Sequence, residues 1–436
     1  MGIITAIKVV VSNKISKIFY GIIGWPEIDI QNDKAVEAVG RFMFIGKLLL
    51  VHQPHPDEDR TVPPTKGLTY LSITIDLFVL TIIIELLCAF CTDNRITLAY
   101  LGDVFVGMNN EYALRMLCLC GTFCLGATRA VSCYLARNGS LDWTKVIYKA
   151  MINGWKPEVL NMKRAYCLKW RQTCVFIARQ IVGTSIILTS VWVTCFAYST
   201  YNCKTLYLAL ERPLILTCFM FRQIITFFAI IFVVPQVAWF CFLLVISITY
   251  LIYRSNSVYV DLQKSLQFES LPVSVITKIC TKNISLLNEF EFINRQMSYV
   301  SYCGYNLISF AGQVALLYSY LGLFGMPLAD LGLGIIGFNT VFQVGIVSFI
   351  AAKSVANVGF SYSHYHRIYQ NNYNIEPRLK LKLLYNLDRL SSPSVGIWVG
   401  ESFLMDKYSF IQYLLEMCSN MMLIIVTMPA LIWRDT

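Results

Sequence analysis

Charged side chains make up only 14% of this 436-residue chain, against about 25% in an ordinary soluble protein. With 56% hydrophobic residues and a mean hydropathy of +0.57, a water-soluble globule is excluded. Histidine is nearly absent: the four form two close pairs, His52 with His55 and His364 with His366. Neither pair has a Cys or carboxylate placed to complete a ligand set, so no metal site and no cofactor is expected. No phosphate loop, dinucleotide glycine pattern or nucleophile elbow occurs, and the chain does not read as an enzyme. Internal repeats and paired broken helices are also missing, which counts against a secondary transporter. Residues 1–20 carry Lys8, Lys14 and Lys17 without a small-residue cleavage site, so no cleaved signal is expected. Ala6 stands where a myristoylation motif needs Ser or Thr.

What the sequence does have is a series of apolar runs, each near the roughly 20 residues that cross a bilayer as a helix. They fall at about 68–91, 113–136, 173–198, 215–250, 299–324, 332–355 and 408–433, which predicts an all-α polytopic membrane protein with seven spans. The fourth run exceeds one crossing and contains Pro235, so it tilts, kinks there or continues beyond the bilayer as helix. The 15 cysteines lie largely within apolar runs, as Cys118, Cys120 and Cys124 do, and read as small hydrophobes. A disulfide between Cys91 and Cys203 is conceivable, both lying at one face of the predicted membrane, but nothing in the sequence supports it.

The net charge of +10 is distributed with a clear side. Outside the spans, only Arg95, Lys204, Arg212 and Arg434 lie on one face, while every other loop Lys and Arg lies on the face holding the N-terminus. The positive-inside rule therefore places the N-terminus in the cytoplasm and the C-terminus outside a plasma-membrane protein. Basic residues scattered over several loops are also a poor footprint for nucleic acid, and none is expected as a partner. A G-protein-coupled receptor has the opposite orientation. The third span here does not end in an Asp-Arg-Tyr-like triplet, and the seventh has no Asn-Pro-x-x-Tyr. The glycosylation sequons at Asn138 and Asn283 fall on the predicted cytoplasmic side. The organisation expected is a cytoplasmic amphipathic segment 1–67, spans one to four over 68–254, cytoplasmic helices 255–298, spans five and six over 299–356, a cytoplasmic loop and helix 357–403, and the last span 404–436.

Two inner segments have helical apolar periodicity. In 265–297, Val273, Ile276, Cys280, Ile284, Leu287, Phe290 and Ile293 recur at three and four, interleaved with Lys278, Lys282, Glu289 and Arg295. In 376–390, Leu379, Leu383, Leu384, Leu387 and Leu390 do the same, with Pro377 in the first turn. Such stripes either pack into a helical base below the membrane or lie on its surface.

The last span is unusual. Ser409, Gln412, Glu416, Ser419, Asn420 and Thr427 fall within about a third of a helical circumference, with Leu423 the large apolar residue among them. Phe410, Leu414, Met417, Met421, Ile425 and Met428 occupy the rest. A carboxylate in a span faces a partner or water. Two readings follow: a face lining an aqueous path with Leu423 as constriction, or a polar seam against a neighbouring helix.

This architecture resembles the insect chemoreceptor superfamily of gustatory and odorant receptors. Gly400, Asp406-Lys407 and Ser419-Asn420-Met421-Met422-Leu423-Ile424-Ile425 are similar in spacing to the gustatory-type ending, in which Gly, then Asn/Asp-Arg, precede Thr-Tyr, five apolar residues and Gln-Phe. Leu286-Leu287-Asn288-Glu289 is also similar to that branch, which is slightly favoured over the odorant one. Ser419-Asn420 replaces Thr-Tyr, and Val426-Thr427 replaces Gln-Phe, a departure near the family's gate. The resemblance implies a ligand-gated, non-selective cation channel, either a homotetramer or a heterotetramer with a co-receptor subunit. The seventh helices would surround the pore and the cytoplasmic helices would anchor the assembly. Gln412, Glu416, Ser419, Asn420, Leu423, Val426 and Thr427 would then form pore and gate for permeating cations. A small organic tastant or odorant would bind within the outer half of each subunit. Candidates are Trp192, Phe196 and Tyr198 of span three, Phe219 and Arg222 of span four, Gln313, Leu317 and Tyr318 of span five, and Phe338, Asn339 and Phe342 of span six. Arg222 would pair with an acidic ligand or with Glu211. The main alternatives are an ion-coupled transporter, which would use Asp76 and Glu85 of span one, and a G-protein-coupled receptor.

Overall fold

The computed structural model describes residues 31–49, 66–108, 110–137, 144–265, 271–322, 327–371, 376–392, 395–399 and 402–432. Nearly all of it is helix. In chain order these are α1 (Asn32–Leu48), α2 (Lys66–Phe90), α3 (Arg95–Tyr100), α4 (Glu111–Arg137), α5 (Lys145–Asn153), α6 (Pro157–Leu160), α7 (Arg164–Asn202) and α8 (Lys204–Leu210). There follow α9 (Pro213–Ser265), α10 (Val273–Tyr302), a π-helical turn (Cys303–Ile308), α11 (Ser309–Tyr320), α12 (Pro327–Asn371), α13 (Pro377–Ser391) and α14 (Lys407–Ile432). One short antiparallel hairpin, β1 (Trp398–Val399) with β2 (Phe403–Leu404), leads into α14.

Five helices, α2, α4, α7, α9 and α12, are long and apolar enough to cross a membrane, which makes this a multi-pass helical protein. The predicted fifth span divides differently from the sequence reading. Its residues run from the end of α10 through the π turn into α11, which alone has 12 residues. The long fourth run is resolved as continuation. α9 is one helix of 53 residues, about 80 Å at 1.5 Å per residue, and Pro235 lies inside it without ending it. Its lower third is less apolar but still buried, through Arg254, Ser257, Val258 and Leu262. α9 is the axis on which α7 and α12 pack.

The two amphipathic stripes find partners within the chain. Ile276, Cys280, Leu287, Phe290 and Ile293 of α10 are buried, as are Leu379, Leu383, Leu387 and Leu390 of α13, while Val273 and Leu384 stay exposed. α13 lies against α10 and α12. Each fully buried aliphatic side chain contributes about 1.5–3 kcal/mol. Polar ties fix the register: Asn283 donates to Asn386 at 2.8 Å and Arg389 pairs with Glu291 at 3.0 Å. The Trp398 amide also donates to Asn294 at 2.8 Å. The sequon residue Asn283 is thus interior to this base, whereas Asn138, His52 and His55 lie outside the described residues. Buried Arg254 bonds Glu289 at 2.6 Å and donates to the Leu160 and Asn161 carbonyls at 3.2 Å. Burial pushes the Glu289 carboxyl above its usual range, with Arg254 pulling it back. α1 is held in place by Phe42, whose ring stacks on Trp239 at 5.4 Å and whose carbonyl accepts from the Trp239 indole at 2.9 Å.

Candidate functional site: an outer cavity and a polar last helix

A cavity of about 150 Å³ lies among α2, α4, α7 and α9, closed by the loop after α3 and by the first turns of α12. Its wall is mostly apolar: Val79, Ile82, Leu117, Leu125, Ile230 and Leu333 are typical. The loop closing it is tightly built. Gly102 has φ +72°, a left-handed conformation natural to glycine, and a Cβ there would sit 2.7 Å from Arg222 Cβ. Its carbonyl accepts from the Gln223 amide at 2.9 Å. Asp103 caps the turn by accepting from the Phe105 amide at 2.9 Å and takes Arg115 at 2.7 Å on its other oxygen. Thr205 and the Lys204 amide donate to the Asp103 and Val106 carbonyls at 2.6 and 2.9 Å, fastening the loop to α8. Burial pushes the Asp103 carboxyl above the usual carboxylate range, and the Arg115 guanidinium opposes that shift.

Both carboxylates of α2 have opposite partners on neighbouring helices. Arg129 of α4, 1% exposed, pairs with Asp76 at 2.7 Å, donates to Ser72 at 3.1 Å and also to Gln236. The other acidic residue of α2, Glu85, pairs with Arg222 of α9. Arg222 was expected to meet Glu211 or a ligand. The correction follows from helix geometry, since Arg222 is on the α9 face opposite α2, whereas Glu211 is exposed in the turn before α9.

Of the candidate ligand residues, Trp192 and Phe196 line the cavity. Arg222 stands behind it through Glu85, and Tyr198 is half-buried away from the lining. Phe219, Leu317 and Tyr318 pack into a second, outer core cluster. Gln313 is buried and donates to Ser309 at 3.1 Å. Phe338 and Phe342 stack on each other at 5.8 Å on the exposed side of α12, where Asn339 accepts from Gln343 at 3.3 Å. The polar lining that the sequence reading did not place there is Glu85, Asp103, Thr122, Ser199, Gln223 and Thr226. Glu85 carried a signal, a carboxylate in an apolar run; the loop residues carried none beyond a Gly-Asp turn.

α14 is preceded by Asp406, whose carboxylate accepts from the Ser409 amide at 2.7 Å; the Ser409 hydroxyl donates to the Leu404 carbonyl at 2.6 Å. Ser409 therefore belongs to the cap. The helix is attached along one edge: Tyr413 is buried against Tyr305 with ring centroids 5.1 Å apart, its hydroxyl donating to the Val341 carbonyl at 3.3 Å, and Phe410 meets Phe349 at 5.6 Å. Gln412, Glu416, Ser419, Asn420, Leu423 and Val426 are all exposed, with Gln412 donating to Glu416 at 2.8 Å. The Thr427 side chain lies outside the described residues. Among the described residues, no other helix of the chain covers the polar arc. Cys91 and Cys203 are both free thiols, Cys203 donating to the Thr200 carbonyl at 3.0 Å.

No family model matches this chain. No curated protein sequence matches it either. Solved structures do. The insect olfactory receptor OR5 from Machilis hrabei in complex with eugenol is similar over 92% of this chain and 100% of that one, with a TM-score of 0.58 at 11% identity. A second structure of the same receptor is similar over 88% of this chain and 96% of that one, with a TM-score of 0.59 at 12% identity. At this identity the likeness is one of fold, and the fold is that of an insect olfactory receptor.

Proposed function

We propose that this chain is a chemosensory receptor of the insect chemoreceptor superfamily, acting as a ligand-gated, non-selective cation channel in a plasma membrane. The observation that carries the reading is the exposed polar arc of α14. A carboxylate and three further polar side chains on a membrane-length helix need water or a partner, and among the described residues no other helix covers them, Glu416 meeting only Gln412 of its own helix. Symmetric copies around an axis supply both. Glu416 then forms a ring attractive to cations, with Leu423 and Val426 as an apolar constriction. The fold shared with an insect olfactory receptor supports the same reading, in which seven spans place the N-terminus inside and α10 and α13 form the anchor. The outer cavity, with Trp192 and Phe196 in its wall, is the ligand site. The pairing of Asp76 and Glu85 with arginines weakens the transporter alternative, because both carboxylates are held in place.

The test is patch-clamp recording from cells expressing the full chain, alone and with a co-receptor subunit, while small aromatic odorants are applied. A ligand-evoked current passing sodium and potassium about equally is expected, with Glu416→Gln lowering cation over anion preference. Saturable uptake with no matching current would overturn the channel, and an extracellular N-terminal tag would overturn the orientation.

A further inference from the structure

The polar groups around the outer cavity are distributed unequally. Glu85 and Asp103 both contribute to the wall, while their arginine partners, Arg222 and Arg115, are not among the lining residues. The acidic member of each pair thus contributes to the wall and the basic member does not. Of the two acids, Asp103 has both oxygens engaged, by the Phe105 amide and Arg115, which leaves Glu85 as the carboxylate open to a ligand. The neutral lining groups add to this bias. The Gln223 amide nitrogen is already committed to the Gly102 carbonyl at 2.9 Å. Among the described residues its oxygen is met only by Thr200, at 3.4 Å. Thr122, Ser199 and Thr226 carry hydroxyls that accept as readily as they donate. The Ser199 hydroxyl donates to the Cys195 carbonyl at 3.0 Å, which leaves its oxygen free to accept. Among the described residues, Arg222 is the one charged partner of Glu85. The size is also bounded: about 150 Å³ is the volume of an apolar cavity known to take benzene.

From this asymmetry we infer that the cavity selects monocyclic, aromatic-sized molecules bearing a hydrogen-bond donor or a positive charge directed at Glu85, and rejects carboxylates. This deepens the ligand site assigned above and rests on it, though binding and gating are separable. An apolar body fills the space between Trp192, Phe196 and the aliphatic wall. An amine or hydroxyl at its outer end shares the Glu85 carboxylate with Arg222. A ligand carboxylate in the same position meets the Glu85 carboxylate in a site of low dielectric, where like charges repel strongly.

The experiment uses the purified full chain in lipid nanodiscs and four matched probes: benzylamine, benzyl alcohol, toluene and benzoate. Binding is read by the shift in thermal unfolding and by displacement among the probes. Benzylamine and benzyl alcohol are expected to bind at least about tenfold tighter than toluene, with benzoate weakest. E85Q is expected to remove the preference for amine over alcohol and to relieve the exclusion of benzoate. Should E85Q unfold the protein by leaving Arg222 unpaired, the double variant E85Q/R222Q keeps the cavity neutral and must show the same loss. Benzoate binding as tightly as benzylamine would overturn the inference, because it would make Arg222 the group that sets ligand charge. An unchanged order in E85Q, or no displacement by any probe, would overturn it equally. Charge-ordered binding without any evoked current would leave this inference standing and sink the channel, whereas currents indifferent to the amine-to-carboxylate series would do the reverse.

Discussion

At the scale of single residues, the membrane interior of this protein is governed by how buried charges are matched. Arg129 is 1% exposed and holds four acceptor atoms on three residues, whereas the Asp76 side chain is 37% exposed. The two ends of this pair are not equivalent. A carboxylate stripped of its partner can be neutralised by a proton, but a guanidinium keeps its charge under all accessible conditions. Asp76→Asn, which strands the arginine, is therefore expected to destabilise the chain by about 3 kcal/mol. Arg129→Gln should cost less, about 1–2 kcal/mol, and the double variant should recover most of the loss. Heating the purified variants in detergent and measuring the fraction that stays monodisperse gives the order. Arg129→Gln proving the more damaging single change would refute this account of the pair.

Among the elements, the inner base is the clearest case of sequence pattern becoming packing. The apolar stripes at 265–297 and 376–390 were legible because each repeats at three and four, and most of the residues on those stripes are buried where α10 and α13 pack, Val273 and Leu384 being exposed and Ile284 half-buried. Leu383 and Leu384 are adjacent in sequence but differ in environment, the first fully buried and the second 43% exposed. Leu383→Ala should cost about 2–5 kcal/mol through lost burial and the cavity left behind, and Leu384→Ala should be nearly neutral. Thermal unfolding of the two variants checks this; equal effects would mean the base is not packed in solution as it is here. Other features were not legible, for physical reasons. The break of the fifth span into α10, a π turn and α11 depends on how that helix meets α4 and α12, not on its hydropathy. Phe338, Phe342 and Tyr198 were expected at the ligand site because they are aromatic and in outer halves. Aromatic residues serve lipid-facing and cavity-facing surfaces alike, and only helix rotation separates Trp192 and Phe196 from them. Glu85 paired with Arg222 instead of Glu211 for the same reason: rotation and neighbour choice are tertiary facts.

For the molecule as a whole, the surface of α14 divides into three sectors. One edge, through Phe410 and Tyr413, is fastened to α11 and α12. A second, through Ile411, Leu414, Leu415 and Met422, is exposed and apolar, as a surface facing lipid or another subunit is. The third carries Gln412, Glu416, Ser419 and Asn420 and is exposed and polar. A single subunit in a bilayer would hold Glu416 against hydrocarbon, at a penalty of about 2.5–3.5 kcal/mol for a charge at mid-membrane. An assembly in which the third sector faces a shared axis removes that penalty once per subunit, while the second sector gains contact area. Stoichiometry and this helix are therefore linked. The purified full chain, or its complex with a co-receptor subunit, is expected to have the mass of four subunits by native mass spectrometry. Leu423→Ser, which makes the constriction wettable, is expected to raise ligand-independent current without changing that mass. A monodisperse monomer that still conducts would overturn the axial arrangement. Leu423→Ser leaving the basal current unchanged would move the gate elsewhere on α14.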